Sequence, residues 1–302
     1  MPFADDLRTL EDRTEIHVLK DPESGSKVAV APVWQARVMT ATWEGAEHGT
    51  GVVARLEGDS TRDFGGEEVP LLVAGGDAGV ASFETGPFRV TAATDLLIQC
   101  EADGSLATPG KEPRPFRFER VIQILNKGEM ARLLGIPMAS TLKAVGYRST
   151  HVIRSPDGQG WPESEMKVRH QGSLHCSPRA LLVIPAPANS GFPPGNRWQP
   201  CGKALVRGFD GHLNEPIWPG KSADDLLCVH DPERNTLTLV MNGPRAGADP
   251  SPQDPVVPVP QEAGPLRNRT TIHLQGSAAD LDAIVRNLLG CSLRDVAAAA
   301  KK

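Results

Sequence analysis

The feature that most constrains this chain is a rhythm of short β-like segments broken by turn residues. "EIHVLKD" and "SKVAVAPVW" flank the turn "PESGS", the arrangement of a hairpin, and "ARVMTATWEG" follows as a third strand. Further segments are "PLLVA", "GVASFE", "PFRVTA", "DLLIQCEADG", "PFRFERVIQIL", "STLKAVGYRSTHVIRS", "EMKVRH", "RALLVIP", "DLLCVHD", "NTLTLVM" and "TTIHLQG". Roughly fourteen short strands with turns between them predict an all-β antiparallel β-sandwich or barrel; the strand–helix alternation of a parallel α/β sheet does not occur. The 30 glycines and 27 prolines supply the turns such a fold needs.

Three stretches interrupt the β pattern. In "NKGEMARLLGIP", Asn126 caps a short helix with Glu129 three residues on, and Gly135 and Pro137 end it. "SAADLDAIVRNLLG" starts at Ser277 with Asp280 in the first turn. Its apolar stripe runs through Leu281, Ile284, Val285, Leu288 and Leu289 to Gly290. Ser292 and Asp295 then open a last short helix. The spacing therefore predicts a helical C-terminal segment over 277–300, packed on a sheet or on a partner protein. Two proline-rich stretches, 185–200 and 242–269, read as extended loops of one sandwich domain spanning 1–302.

Composition narrows the function classes. The formal charge is −5, and Tyr147 is the sole tyrosine, so neither a phosphate-backbone footprint nor an aromatic stacking platform is on offer and no nucleic-acid partner is expected. No apolar run approaches the roughly 18 residues of a membrane span. "MPFADDLRTLEDRTEIHVLK" lacks the basic start and apolar core of a signal peptide. Five cysteines without a CxxC read as reduced thiols and place the chain in the cytoplasm; a mature secreted chain stripped of its signal would read the same. No cofactor is implied: "GGDAG" at 75–79 has neither the spacing nor the following helix of a dinucleotide loop. Cys228 and His230 alternate along one strand face, which is two ligands of the four that zinc wants, and no metal is expected.

Several stretches together resemble an uncharacterised bacterial family of galactose-mutarotase-like β-sandwich proteins. They are "VLKDPESGSKVAVAPVWQARVMTATWEG", "GGEE" at 65–68, "RFERVIQILNKGEMARLLGI", "VGYRSTHVIRSPDGQGWPESEMKV", "SPRALLVIP", "DPERNTLTLVM" and "HLQGSAADLDAIVRNLLGCSL". The resemblance implies a concave sheet face able to take a sugar or uronic acid. It also marks a departure. The family carries an aromatic, glutamate-containing strand where this chain has "DPSPQDPVVPVPQEAG", and Val69 stands where the family tends to have arginine. Mutarotation needs a histidine acid and a glutamate base on one ring. By the resemblance, His170 or His175 falls in the acid region, while Glu262 is the nearest candidate base and lies in a loop.

Each candidate has two readings. His175 is a general acid or sugar-hydroxyl ligand, or a strand-end histidine; His170 stands in the same position. Arg37 beside Trp34 and Gln35 suits a sugar hydroxyl or carboxylate, or else Arg37 pairs with an acid while Trp34 fills the core. Glu67 and Glu68 line a cleft or sit on an exposed turn. The expected function is a carbohydrate-binding-like sandwich protein without catalysis or with weak activity. The rivals are a structural or interaction protein, with a protein partner or a second copy of itself, and an aldose 1-epimerase-like enzyme.

Overall fold

A computed structural model describes residues 2–53, 65–74, 82–85, 88–107, 112–157, 166–186, 198–209, 212–214, 226–243 and 267–301. The N-terminal part holds α1 (Phe3–Glu11), β1 (His17–Lys20), β2 (Lys27–Ala31), β3 (Arg37–Thr42), β4 (Val69–Ala74), β5 (Ser82–Thr85), β6 (Arg89–Ala93), β7 (Leu97–Ala107) and β8 (Arg114–Leu125). Then come α2 (Lys127–Leu134), β9 (Lys143–Arg154), β10 (Met166–Ser173), β11 (Leu181–Pro185), β12 (Gln199–Cys201), β13 (Ala204–Gly208) and β14 (His212–Asn214). The chain closes with β15 (Leu226–Asp231), β16 (Thr236–Asn242), β17 (Arg267–Gln275), α3 (Ala278–Leu289) and α4 (Leu293–Ala299).

The fold is all-β and antiparallel, with helices at the C-terminus. An eleven-stranded sheet runs β12-β13-β11-β15-β16-β17-β9-β8-β7-β5, with β6 also on β7, and two three-stranded sheets have the orders β1-β2-β3 and β14-β10-β4. Strand alternation sorts the side chains of the large sheet to two cores. On β9, Ala144 joins the cluster built with Leu281, Ile284 and Val285 of α3 and Val296 of α4. Its neighbours Val145 and Tyr147 join the cluster with Leu19, Val28, Val30 and Val38 of the small N-terminal sheet. Helices therefore cover one face of the large sheet, and β1-β2-β3 covers the other.

The caps expected from sequence form. Asn126 Oδ1 accepts from the Glu129 N–H at 2.9 Å, and the Glu129 carboxylate accepts from the Asn126 N–H at 2.8 Å. Ser277 accepts from the Asp280 N–H, Ser292 from that of Asp295, and Gly135 and Gly290 end α2 and α3 in the left-handed conformation.

Two local features depart from expectation. Helix α1 has no side-chain cap and turns inward only Phe3, Asp6 and Leu10, too thin a stripe to read from the pattern. Leu10 packs with Ala31, Trp34, Met39 and Val53. Strand β17 begins at Arg267, inside the expected 242–269 loop, because its first residues pair with His151, Thr150 and Ser149 of β9. Asn242 likewise ends β16, paired with Arg269; residues 244–266 of that loop, most of the 185–200 loop, "GGDAG", Trp161 and Glu262 lie outside the described residues. Among the described residues no helix is long and apolar enough to cross a membrane.

Candidate functional site

The site begins with the glycine–acid motif. Val38 of β3 bridges Glu68, its N–H donating to the Glu68 carbonyl at 3.1 Å while its own carbonyl accepts from the Glu67 N–H at 2.9 Å. Gly66 takes φ +112°, and a Cβ there would lie 2.9 Å from Arg37 Cδ, so the turn packs flat on that side chain. On the other side, a Cβ at Gly172 of β10 would lie 1.9 Å from the Glu67 carbonyl oxygen. Gly172→Ala is therefore expected to push the motif off β10 and to lower stability by about 3 kcal/mol, the upper end for overpacking, measured by urea unfolding.

Both glutamates are buried, which overturns the exposed-turn reading. As consecutive residues they leave the backbone to opposite sides, and each meets a different set of partners. Glu67 accepts from the Tyr147 hydroxyl at 2.9 Å, from the Thr50 hydroxyl and from His273 Nε2. Burial pushes its carboxyl up, but the charge of His273 and the three hydrogen bonds outweigh this and leave it below its ordinary value. An ionised carboxylate only accepts, so His273 Nε2 carries the proton, and Nδ1 meets the Thr238 hydroxyl at 2.8 Å. Burial, then Glu67 and Glu68, hold the Tyr147 hydroxyl well above its ordinary value, so it stays a donor.

Glu68 lies among two arginines and a histidine. Arg120 Nη2 donates to Oε1 at 2.6 Å, His170 Nδ1 is 3.4 Å from the same oxygen, and Arg269 Nε is 3.5 Å from Oε2. Burial opposes the charge on Glu68, yet Arg120, His170 and Arg269 hold the carboxyl far below the usual range. Burial pulls His170 down to about 4, helped by Arg269, so its ring is neutral at pH 7. That ring packs 4.9 Å from the ring of His151. Burial and Arg120 bring Arg37 down to about 10, and its Nη1 donates to the Gly65 carbonyl at 3.1 Å.

A cavity of about 400 Å³ opens where the loop after β3 meets the β15–β16 turn and the end of β17. Its walls include Trp43, Glu47, His48 and Thr50 from the loop, His175 beyond β10, Asp231, Glu233 and Arg234 from the turn, and Thr236, Thr238, His273 and Gln275 from the strands. Trp43 Nε1 donates to Gln275 Oε1 at 3.1 Å, and Gln275 Nε2 donates to the Arg234 carbonyl. The turn is anchored by Asp231, whose carboxylate accepts from the Ser177 N–H and hydroxyl at 2.6 and 2.7 Å and from the N–H groups of Glu233 and Arg234.

His175 follows β10 by two residues, donates its N–H to the Thr50 carbonyl at 2.7 Å, and sets its ring 5.0 Å from that of His48. Burial and then Arg234 pull it down to about 4, so it is neutral at pH 7. Its Nε2 faces Arg234 Nη2 at 3.3 Å and accepts from it.

Of the residues nominated from sequence, the structure brings His175 into the cavity wall and Glu67 directly behind that wall, bound to Thr50 and His273. Glu68 and His170 belong to the neighbouring charge cluster. Trp34 packs in the core with Leu10 and Met39, and neither it nor Arg37 lines the cavity. Among the described residues no group of three or more His, Cys, Asp or Glu is arranged to hold a metal. Cys228 is a core residue whose thiol burial pushes far up, the opposite of a metal-binding thiolate. Sequence reasoning missed His273, Thr238, Tyr147, Arg120 and Arg269. The available signal was the period-two row Arg269, Thr271, His273, Gln275 on β17 beside Tyr147, Ser149, His151 on β9.

A model of a family of unknown function (DUF6786) matches residues 1–68 and 79–193, more than half of the chain. The matched part includes Glu67, Glu68, Arg120, Tyr147, His170 and His175, and the Asp231–Gln275 wall lies beyond it. No curated protein matches the chain. Similar solved structures include the Slr1438 protein of Synechocystis sp. PCC 6803, at 14% identity and TM-score 0.44 over 88% of this chain and 96% of that one. A putative aldose 1-epimerase of Escherichia coli K12 is similar at 9% identity and TM-score 0.39, over 85% and 87%. A galactose mutarotase related enzyme of Lactobacillus acidophilus is similar at 8% identity and TM-score 0.40, over 87% and 97%.

Proposed function

This chain belongs to the family of unknown function DUF6786, and we propose that it binds a neutral sugar ring in the cavity beside His175 without turning it over at an appreciable rate. The observation that carries this reading is the cavity wall itself. It is large enough for a small ligand and sets hydrogen-bonding side chains (His48, His175, Thr50, Thr236, Thr238, Gln275) around the Trp43 indole. Hydroxyl groups, which both donate and accept, are the ligand chemistry such a wall suits. Three carboxylates, Glu47, Asp231 and Glu233, stand against one guanidinium, Arg234, and this balance favours a neutral aldose over a uronic acid.

The binding reading is preferred to aldose epimerisation on the state of the acid–base groups. A mutarotase acid must hold a proton and give it to the ring; His175 is neutral at pH 7 and its Nε2 accepts from Arg234. Glu67, a carboxylate in reach of the cavity wall, takes three hydrogen bonds and sits behind Thr50 and His273. The same reading keeps the chain in the cytoplasm, where its five cysteines stay thiols.

Thermal shift with glucose, galactose and the corresponding uronic acids at millimolar concentration tests the binding. A saturable rise with neutral aldoses is expected, smaller or absent with the acids, and Gln275→Ala, which releases Trp43, is expected to weaken it about tenfold. No shift with any sugar would leave the structural or interaction reading standing. Polarimetry with freshly dissolved glucose or galactose is expected to match the uncatalysed rate. An acceleration lost in both His170→Ala and His175→Ala would establish the epimerase instead.

A further inference from the structure

We propose that the charge cluster around Glu68 is a binding site for a small monovalent inorganic anion, of the size of chloride, seated against Arg120 and Arg269. Three adjacent strands build it. The register sets Arg120 of β8 opposite His151 of β9, and Ser149 of β9 opposite Arg269 of β17, so these side chains share the sheet face that the glutamate motif covers.

Among the described residues the charges do not balance. Arg120 and Arg269 are 1% and 4% exposed, and the described carboxylate that both of them face is that of Glu68. Glu67, next in the chain, does not compensate, because its oxygens are taken by Thr50, Tyr147 and His273 on the other side. His170 is neutral and brings no negative charge.

The donors do not balance either. Arg120 gives Nη2 to Glu68 and to Ser149 Oγ, the latter at 3.3 Å, whereas its Nε and Nη1 meet no acceptor among the described residues; Arg269 Nε stands 3.5 Å from Glu68 Oε2, beyond good hydrogen-bond geometry. A buried guanidinium with unmet N–H groups is costly, and each such group calls for an ion or a water. Water satisfies the donors and leaves the surplus charge; an anion answers both. The site is separate from the sugar cavity, and the inference does not depend on the sugar reading.

The test is thermal unfolding of the full chain at constant ionic strength, with sodium methanesulfonate replaced stepwise by sodium chloride or bromide. The expected result is a saturable halide-dependent rise in Tm of roughly 4 °C at a hundredfold the half-saturating concentration. In Arg269→Gln, checked for fold by circular dichroism, the rise is expected to fall to under a third of that. Equal Tm in halide and methanesulfonate, or an undiminished halide rise in Arg269→Gln, overturns the proposal. Should that variant not fold, crystals of the unaltered protein soaked in bromide decide. Anomalous density in contact with Arg120 Nε or Nη1 upholds the site, and water there overturns it. Neutral sugars titrated in methanesulfonate report on the cavity alone, so either reading can fail without the other.

Discussion

Glu68→Ala is expected to lower the stability of the protein by about 3–5 kcal/mol, enough to unfold much of the population of a marginally stable domain. The size follows from what the substitution leaves behind. Glu68 is the carboxylate that Arg120 and Arg269 face, and Arg120 donates to it at 2.6 Å from a fully buried position. Removing one partner of a buried pair strands the other charges in a medium that solvates them poorly, and that cost exceeds the worth of the pair itself. Glu68→Gln keeps an acceptor without its charge and is expected to fall between. The contrast is Asp103→Ala on the exposed face of β7. Asp103 also pairs with two arginines, Arg89 and Arg117, but in water, where the loss is expected to be within about 1 kcal/mol. Urea unfolding of the three variants checks the order, and equal losses for Glu68→Ala and Asp103→Ala would show that the cluster carries no special burden.

Stability is also expected to decline as the pH falls from 6.5 to 4, and to decline less in His170→Gln. The folded-state pKa of His170, about 4, lies below the ordinary 6.5, because burial and then Arg269 oppose its protonation. In that window the unfolded chain binds a proton that the folded chain does not, so unfolding becomes easier as the pH drops. The stability is complete above 6.5 and the loss is complete near 4. For a buried ring the difference is on the order of 3 kcal/mol. His175, drawn down to about 4 by burial and Arg234, acts in the same direction and by less, being only half-buried. Below the ordinary 4.5 of a glutamate the two motif carboxylates add to the trend. Both are held under that value when folded, so their contribution is present above it and is lost as the pH falls through their folded values. Urea midpoints from pH 7.5 to 4.5, with the slope of the transition unchanged, are the measurement. A flat profile, or an identical one for His170→Gln, would remove His170 as the source.

Much of the fold is written locally. Asn126 and Glu129, or Ser292 and Asp295, cap their helices across three residues, and the turns and alternating strands are set within similarly short windows. Those contacts form between near neighbours whatever the rest of the chain does, so residue type and spacing sufficed to read them, along with the antiparallel all-β class and the C-terminal helices. Helix α1 escaped only because its stripe is three residues wide. The site is different in kind. Glu67 meets His273 across 206 residues of sequence, and Arg120 meets Glu68 across 52. As a string, "GGEE" is a polar turn and "RNRTTIHLQ" a loop that becomes a strand. Whether two consecutive glutamates face water or two separate buried networks depends on β3, β10 and the large sheet closing around them. That closure decides the local dielectric and the partners, and with them which groups are charged. Only the tertiary structure sets those quantities, because burial and long-range register are properties of the packed chain and not of any short window within it.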